Sequence, residues 1–120
     1  MRVLLVDDHA EVRTMLRVAL TRRSGVHVVG EAASLPDALD LAGKLQPEAV
    51  VLDLALPGAG VRRSHAALSA LRQATPTSEV VVYTAHESDR DWYEREGVPF
   101  FGKATDRLAD LVEFLHAGRR

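Results

Sequence analysis

Residues 2–9 read RVLLVDDH, a short apolar run that ends in two adjacent acids and a histidine. The run RVLLV is typical of a β-strand buried on both faces of a parallel sheet. Asp7 and Asp8 follow it directly, and two carboxylates so close repel each other by about 4 kcal/mol at an effective dielectric constant of about 20. Two adjacent carboxylates at the end of a buried strand add no stability by themselves. The pair therefore indicates an interaction with a part of the chain that lies elsewhere in the sequence.

Outward from this stretch, apolar strand patterns alternate with amphipathic helix patterns. The predicted strands are residues 2–6, 26–32, 49–54, 79–84 and 99–103. The predicted helices are residues 11–20, 34–45, 64–74, 88–96 and 106–118. This order predicts an α/β fold, a (βα)5 doubly wound parallel sheet of the flavodoxin-like type with strand order 2-1-3-4-5. We expect one domain that covers residues 1–120.

Local signals support several of these elements. Ser34 and Asp37 resemble a capping box at the start of the second helix, and Pro57 and Gly58 predict a turn after the third strand. The apolar stripe expected to face the core from the first helix comprises Val12, Met15, Leu16, Ala19 and Leu20.

Composition excludes several classes of protein. The net charge of -2 over 120 residues gives no general attraction for nucleic acid or for an anionic membrane. No apolar run approaches the roughly 20 residues of a membrane helix, and Met1 leads directly into a strand, which leaves no room for a signal peptide. The chain has no cysteine, which fits a reducing compartment. We expect a soluble cytoplasmic protein without disulfide or thiol chemistry.

Polar side chains follow four of the five predicted strands. Asp7 and Asp8 end the first strand, Asp53 the third, Thr84 the fourth, and Lys103 follows the fifth. The carboxyl ends of parallel strands meet at one edge of the sheet, so Asp8 and Asp53 are expected to bracket a hard cation. Clustered carboxylates, with no histidine or cysteine at ligand spacing, favour Mg²⁺ over zinc.

Four stretches of the sequence carry a family resemblance. VLLVDDH, VVLDLALPG, VVYTA and FFGKA resemble, in this order, the motif blocks of the response-regulator receiver domain of two-component signalling. The likeness covers essentially the whole chain. VDDHAEVRTML and VVGEAAS look most like the receivers of nitrate-response and quorum-sensing regulators, which carry a helix-turn-helix output domain.

The resemblance implies a role for each residue at the acidic edge. Asp53 would be the phosphoacceptor. Asp8 would bind Mg²⁺ directly, with the backbone carbonyl of Ala55 as a further ligand, and Asp7 would assist through a water molecule. Lys103 would pair with the phosphoryl oxygens.

The resemblance also implies a switch and partners. Thr84 would be the switch hydroxyl and Phe100 the switch aromatic, and together they would change the surface of the fourth helix, fifth strand and fifth helix. Phe100 also fits plain core packing. The expected partners are a sensor histidine kinase and a second copy on phosphorylation. The resemblance implies an output, such as transcription, beyond this domain, and no contact of this domain with nucleic acid or a membrane.

The sequence departs from the family pattern in the fourth helix. The interval from Thr84 to Gly97 is shorter than the resemblance leads us to expect, so the usual dimer surface is in doubt. Trp92 and Tyr93 on this helix fit either core packing or an exposed partner patch. We predict surface or loop positions for the histidines, with His86 bordering the site and no role assigned to His9.

Two other functions remain open at this point. A Mg²⁺-dependent phosphohydrolase would normally need an acid two residues after its nucleophilic aspartate, where this chain has Ala55. A pseudo-receiver would act as a phosphorylation-independent scaffold, which the short fourth helix favours and the complete acidic set opposes. A nucleotide-binding protein would need a glycine-rich phosphate loop after a strand, which this sequence lacks. The chain fits either a stand-alone receiver or one excised from a longer regulator, and the second reading is slightly favoured.

Overall fold

The structure, a computed structural model, describes residues 1–23, 25–56 and 61–117, and for residues 61–63 it describes the backbone alone. In these residues five strands alternate with five helices. The strands are β1 (Arg2–Val6), β2 (His27–Ala32), β3 (Ala49–Leu52), β4 (Glu79–Thr84) and β5 (Phe100–Gly102). The helices are α1 (Ala10–Thr21), α2 (Leu35–Leu45), α3 (Val61–Ala74), α4 (Arg90–Arg95) and α5 (Leu108–Ala117). Among the described helices, none combines the length and the apolar character needed to span a bilayer.

The strands form one parallel sheet in the order β2-β1-β3-β4-β5, which confirms the predicted topology. In the centre of the sheet, Val6 of β1 pairs with Leu52 of β3. The next residue of each strand is an aspartate, so this register brings Asp7 and Asp53 side by side at the carboxyl edge. The hydrophobic pattern that sets the register therefore also sets the position of the acids.

Helices cover both faces of the sheet. On one face, Leu4 and Val6 of β1 pack with α2, α3 and α4. On the other face, Val3 and Leu5 pack with α1 and α5. A strand buried on both faces needs a continuous apolar run, which explains why β1 and β3 show no alternation with polar residues. Each fully buried Val or Leu side chain contributes roughly 1.5–3 kcal/mol to this core.

Several element boundaries differ from the prediction. Helix α3 begins at Val61 and not at Ser64, and the buried Ser64 hydroxyl within its first turns donates to the Leu54 carbonyl at 3.4 Å. Helix α5 begins at Leu108, since the carboxylate of Asp106 accepts a hydrogen bond from the Gly102 amide at 2.8 Å within the preceding loop. The predicted turn at residues 57 and 58 lies outside the described residues.

The start of α2 follows the sequence prediction in part. Ser34 is the N-cap of α2. Its hydroxyl accepts a hydrogen bond from the Asp37 amide at 3.4 Å.

The first helix contacts the sheet through a narrower stripe than the sequence pattern predicted. Leu16 and Leu20 are fully buried, whereas Met15 is 43% exposed and Val18 is 44% exposed. The prediction that Met15 faces the core is wrong. Helix α1 touches the sheet along the line of Leu16 and Leu20, and Met15 lies one residue away on the solvent flank of that line.

The aromatic residues of α4 belong to the core. Tyr93 is fully buried, and Trp92 packs against the same apolar cluster. His65 of α3 stacks on the Trp92 indole with ring centroids 3.5 Å apart, and it pairs with Asp89. The surface-or-loop prediction is therefore wrong for His65. It is also wrong for His116, a half-buried residue of α5.

Candidate functional site

The sheet places four polar residues at its carboxyl edge. Backbone hydrogen bonds continue past the strand ends, from the Asp53 amide to the Val6 carbonyl at 2.9 Å and from the Lys103 amide to the Thr84 carbonyl at 2.7 Å. Asp7 lies at the end of β1, beside Asp53. These backbone hydrogen bonds therefore fix the positions of Asp53 and Lys103 at the edge of the sheet.

Asp53 lies at the centre of this edge and is 2% exposed. Its Oδ1 accepts a hydrogen bond from the Thr84 hydroxyl at 2.8 Å and another from the Ala55 amide at 3.1 Å. Thr84 is fully buried and in turn accepts from the His86 amide at 3.1 Å. One oxygen of Asp53 is thus held by two neutral donors, and the other faces Lys103.

Lys103 supplies the positive charge of the site. Its ammonium donates to Asp7 Oδ2 at 2.9 Å and to Asp53 Oδ2 at 3.4 Å. Burial alone would lower the pKa of Lys103, but the hydrogen bond to Asp7 and the charges of both aspartates outweigh it and raise the pKa above its ordinary value. Burial likewise raises the pKa of neighbouring Tyr83. Lys103 is therefore the partner from a distant part of the sequence that the Asp7–Asp8 pair requires.

The Asp8 carboxylate makes no hydrogen bond with a fixed donor among the described residues. Its Oδ1 is buried, and the nearest group that could pair with it is the His9 ring, with Nδ1 at 3.1 Å. Ligand atoms of Asp7, Asp8, His9 and Asp53 all lie within 4.8 Å of one another. A buried anionic oxygen without a donor is costly unless a cation satisfies it. The residues therefore fit a divalent cation, and the dominance of carboxylate oxygens fits Mg²⁺.

Two residues that the sequence pattern did not assign to the site contact the acids. The His9 amide donates to Asp7 Oδ1 at 2.9 Å, which folds the loop back and brings His9 Nδ1 within 3.2 Å of Asp7 and 3.1 Å of Asp8. The statement that no histidine has ligand spacing is wrong for this reason. Arg13 donates to the Asp7 carbonyl at 2.6 Å and to Glu31 at 3.1 Å. The direct adjacency of His9 to the two acids was the available signal.

The two other predicted residues, Ala55 and Phe100, lie in different parts of the fold. Ala55 is half-buried on the loop after β3, and its amide bonds Asp53. The role of its carbonyl as a metal ligand stays a prediction. Phe100 is 5% exposed and lies against Tyr93, with ring centroids 5.8 Å apart. The predicted switch aromatic therefore points into the core.

A sequence model described as the response regulator receiver domain matches residues 3–97 of the chain. The chain belongs to this receiver-domain family. The match includes Asp53 and Thr84 and ends before Phe100 and Lys103. The resemblance to receivers of two-component signalling is thereby confirmed.

This receiver domain is similar to known response regulators over most of its length. It is 29% identical over 116 residues to the nitrate/nitrite response regulator protein NarL of Escherichia coli strain K12, a match that covers 95% of this chain and 52% of NarL. It thus spans about half the length of this curated relative. A LuxR-family two-component response regulator from Aurantimonas sp. SI85-9A1 is 34% identical, with a TM-score of 0.79 over 99% of this chain and 86% of that chain.

A third comparison shows the fold alone. RcsB from Salmonella enterica serovar Typhimurium, bound to promoter rprA in the presence of the phosphomimetic BeF3⁻, is 22% identical to this chain. The TM-score is 0.85 over 100% of this chain and 99% of that chain. The (βα)5 architecture is therefore shared between the two chains in its whole extent.

Proposed function

We propose that this receiver acts in the cytoplasm and accepts a phosphoryl group on Asp53 from a sensor histidine kinase. Phosphorylation of Asp53 then alters the surface of α4, β5 and α5 to control an output such as transcription. One observation carries the proposal: the buried Asp53 carboxylate lies between a hydroxyl donor and an ammonium, at 2.8 Å from Thr84 Oγ1 and 3.4 Å from Lys103 Nζ. An aspartate that only caps the end of a strand would not need both a buried hydroxyl donor and an ammonium group.

The transfer step uses the side chains in distinct ways. A carboxylate oxygen of Asp53 forms the new P–O bond while the P–N bond of the donor phosphohistidine breaks. The electron pair of the broken bond stays on the imidazole nitrogen, which takes up a proton. Lys103 neutralises charge on the phosphoryl oxygens, and the Thr84 hydroxyl donates to one of them, because both donors already point at this carboxylate.

The acidic set would hold a magnesium ion. Asp8, Asp53 and the Ala55 carbonyl are the proposed direct ligands, and Asp7 the ligand through a water molecule. When bound there, Mg²⁺ supplies positive charge against the phosphoryl oxygens and against the repulsion between the carboxylates. Asp7 is already neutralised by Lys103, which agrees with its indirect part in this proposal.

The test is the intact mass of the protein after incubation with Mg²⁺ and acetyl phosphate. We expect the mass of one added phosphoryl group on the wild type and none on Asp53→Asn, which keeps the shape of the side chain but not its nucleophilic oxygen pair. Continuous release of phosphate without an adduct would support a phosphohydrolase. Absence of both adduct and release would support a scaffold without phosphorylation.

The Thr84 hydroxyl provides a second prediction. Replacing Thr84 by valine keeps the shape but removes the donor to Asp53 and the acceptor for the His86 amide. We expect phosphorylation by acetyl phosphate to slow by about 10-fold to 100-fold, which is the loss of about 1.4–2.8 kcal/mol of transition-state stabilisation. Thr84→Ser keeps the hydroxyl and should react at close to the wild-type rate. Equal rates for the valine and serine variants would contradict a role for the hydroxyl.

A further inference from the structure

Arg90, the first residue of α4, connects three parts of the fold. Its guanidinium donates to Asp106 Oδ2 at 3.0 Å, in the loop after β5, and to the Phe100 carbonyl at 3.2 Å, in β5 itself. It also lies over the Phe100 ring, 5.3 Å from the ring centroid. On its own helix it pairs with Glu94 at 3.3 Å. One side chain thus contacts the ring, the backbone and the following loop of the proposed switch residue.

Phe100 is enclosed between Arg90 and the core. Its ring packs on the inner side against Tyr93 and on the outer side under the Arg90 guanidinium. An outward rotation of the ring would break the cation–π contact and expose an apolar ring that is now 5% exposed. The contacts of Arg90 therefore favour the inward position of Phe100.

Asp106 is a firmly held partner for Arg90. Its Oδ2 also accepts the Gly102 amide at 2.8 Å. The hydrogen bond from the Gly102 amide, followed by the bond and charge of Arg90, holds the pKa of Asp106 below its ordinary value although burial opposes this. The carboxylate therefore stays charged at neutral pH and forms an ion pair with Arg90 at 3.0 Å.

A second contact closes the same two loops. The Thr105 hydroxyl donates to Glu87 Oε1 at 2.6 Å. The Glu87 carboxylate lies so close over Gly102 that a Cβ built there would overlap it. The loop after β5 is thus joined to the start of α4 by Asp106 and to the loop before α4 by Thr105. Lys103 lies between these contacts in the sequence, so the same arrangement restrains the residue that pairs with Asp53.

We propose that Arg90 is a positioning residue for the switch, which holds the Phe100 ring inward through its contacts with Phe100 and Asp106. The inward position is then favoured before phosphoryl transfer, and a phosphoryl group on Asp53 adds little to it. This inference rests on the proposed function, together with the role of switch aromatic that the family resemblance implies for Phe100. It assigns to the short fourth helix a part that the family resemblance does not contain.

The test is fluorine NMR of protein labelled with 4-fluorophenylalanine. The chain has three phenylalanines, and Phe100→Leu identifies the Phe100 resonance. We expect a buried Phe100 resonance in the wild type that BeF3⁻ and Mg²⁺ move very little. In Arg90→Met the resonance should move toward the solvent-exposed shift, and BeF3⁻ should bring it back. Arg90→Lys, which keeps the charge near Asp106 but loses the paired donors, should lie between the two.

The control is Arg95→Met, an exposed arginine of the same helix, which should leave the Phe100 resonance at its wild-type shift. If Arg90→Met and Arg90→Lys both match Arg95→Met, Arg90 does not position the ring and the inference is overturned. The same holds if the wild-type resonance starts exposed and moves inward only with BeF3⁻. Should Arg90→Met fail to fold, the folded Arg90→Lys protein decides by the same comparison.

The two proposals fail in different ways. A wild type that gains no phosphoryl mass, while Arg90→Met still moves the Phe100 resonance outward, overturns the proposed function and supports the positioning role. A wild type that gains the phosphoryl mass, with Phe100 unmoved in both Arg90 variants, supports the function and overturns the positioning role.

Discussion

Replacing Asp8 by alanine is expected to abolish Mg²⁺ binding and phosphorylation of Asp53 while leaving the fold intact or more stable. The reason is the buried Asp8 Oδ1, which has no hydrogen-bond donor among the described residues and lies beside Asp7 and Asp53. Removing a ligand should weaken Mg²⁺ binding by at least about 100-fold, since loss of an outer-shell partner alone already costs about 10-fold to 100-fold. Removing this charge from beside Asp7 and Asp53, at the cost of its contact with His9, should raise the free energy of unfolding by about 1 kcal/mol or leave it unchanged.

Titration calorimetry with Mg²⁺ and denaturant unfolding without metal measure the two effects separately. Asp8→Asn keeps the shape and should behave like the alanine variant in binding, because the charge is what the cation requires. Asp91→Ala, an exposed acid of α4, is the matched control and should bind as the wild type does. An Asp8→Ala protein that binds Mg²⁺ and gains a phosphoryl group normally would refute the assignment of Asp8 as a ligand.

Replacing Lys103 by methionine is expected to have the largest effect on stability. Asp7 and Asp53 are each 2% exposed, and Lys103 is the cation that pairs with both. Removing one partner from a buried ion pair typically costs about 3–5 kcal/mol, because the remaining charges stay buried without compensation. Phosphorylation should also slow by about 100-fold to 1,000-fold, as for other donors to a developing anion.

Thermal unfolding with and without Mg²⁺ tests whether missing positive charge causes the loss of stability. A cation bound by the acids restores positive charge beside them, so Mg²⁺ should raise the melting temperature more in Lys103→Met than in the wild type. The control is Lys44→Met, which removes a lysine that is 70% exposed and pairs with Asp40 on the surface of α2. Equal stability of Lys103→Met and Lys44→Met would show that the buried charges do not depend on Lys103.

Some elements follow from local pattern because their causes are local. The apolar run of β1 predicts a strand buried on both faces, and the capping signal of Ser34 predicts the start of α2, where the Ser34 hydroxyl accepts from the Asp37 amide. The start of α3 was predicted at Ser64 and lies at Val61, and the Ser64 hydroxyl donates to the Leu54 carbonyl. A partner ten residues away in the chain cannot be read from helical periodicity.

The acidic edge was predictable for a different reason. Once the strand order is known, the residue after each strand has a known place, and Asp53, Thr84 and Lys103 follow from that rule alone. His9 and Arg13 could not be placed in this way. The contact of His9 with Asp7 depends on how the loop after β1 folds back. The contact of Arg13 with Asp7 depends on the direction in which its side chain leaves α1.

By itself, then, the sequence determined the parallel sheet and the residues at its carboxyl edge, because hydrophobic period and strand order are sufficient to set the register. Only the tertiary structure decided how the charges are paired. Lys103 neutralises Asp7 across 96 positions of sequence, Asp8 keeps an oxygen without a donor, and Arg90 covers Phe100. Such pairings depend on side-chain directions and distances between distant elements, which no local pattern in the chain encodes.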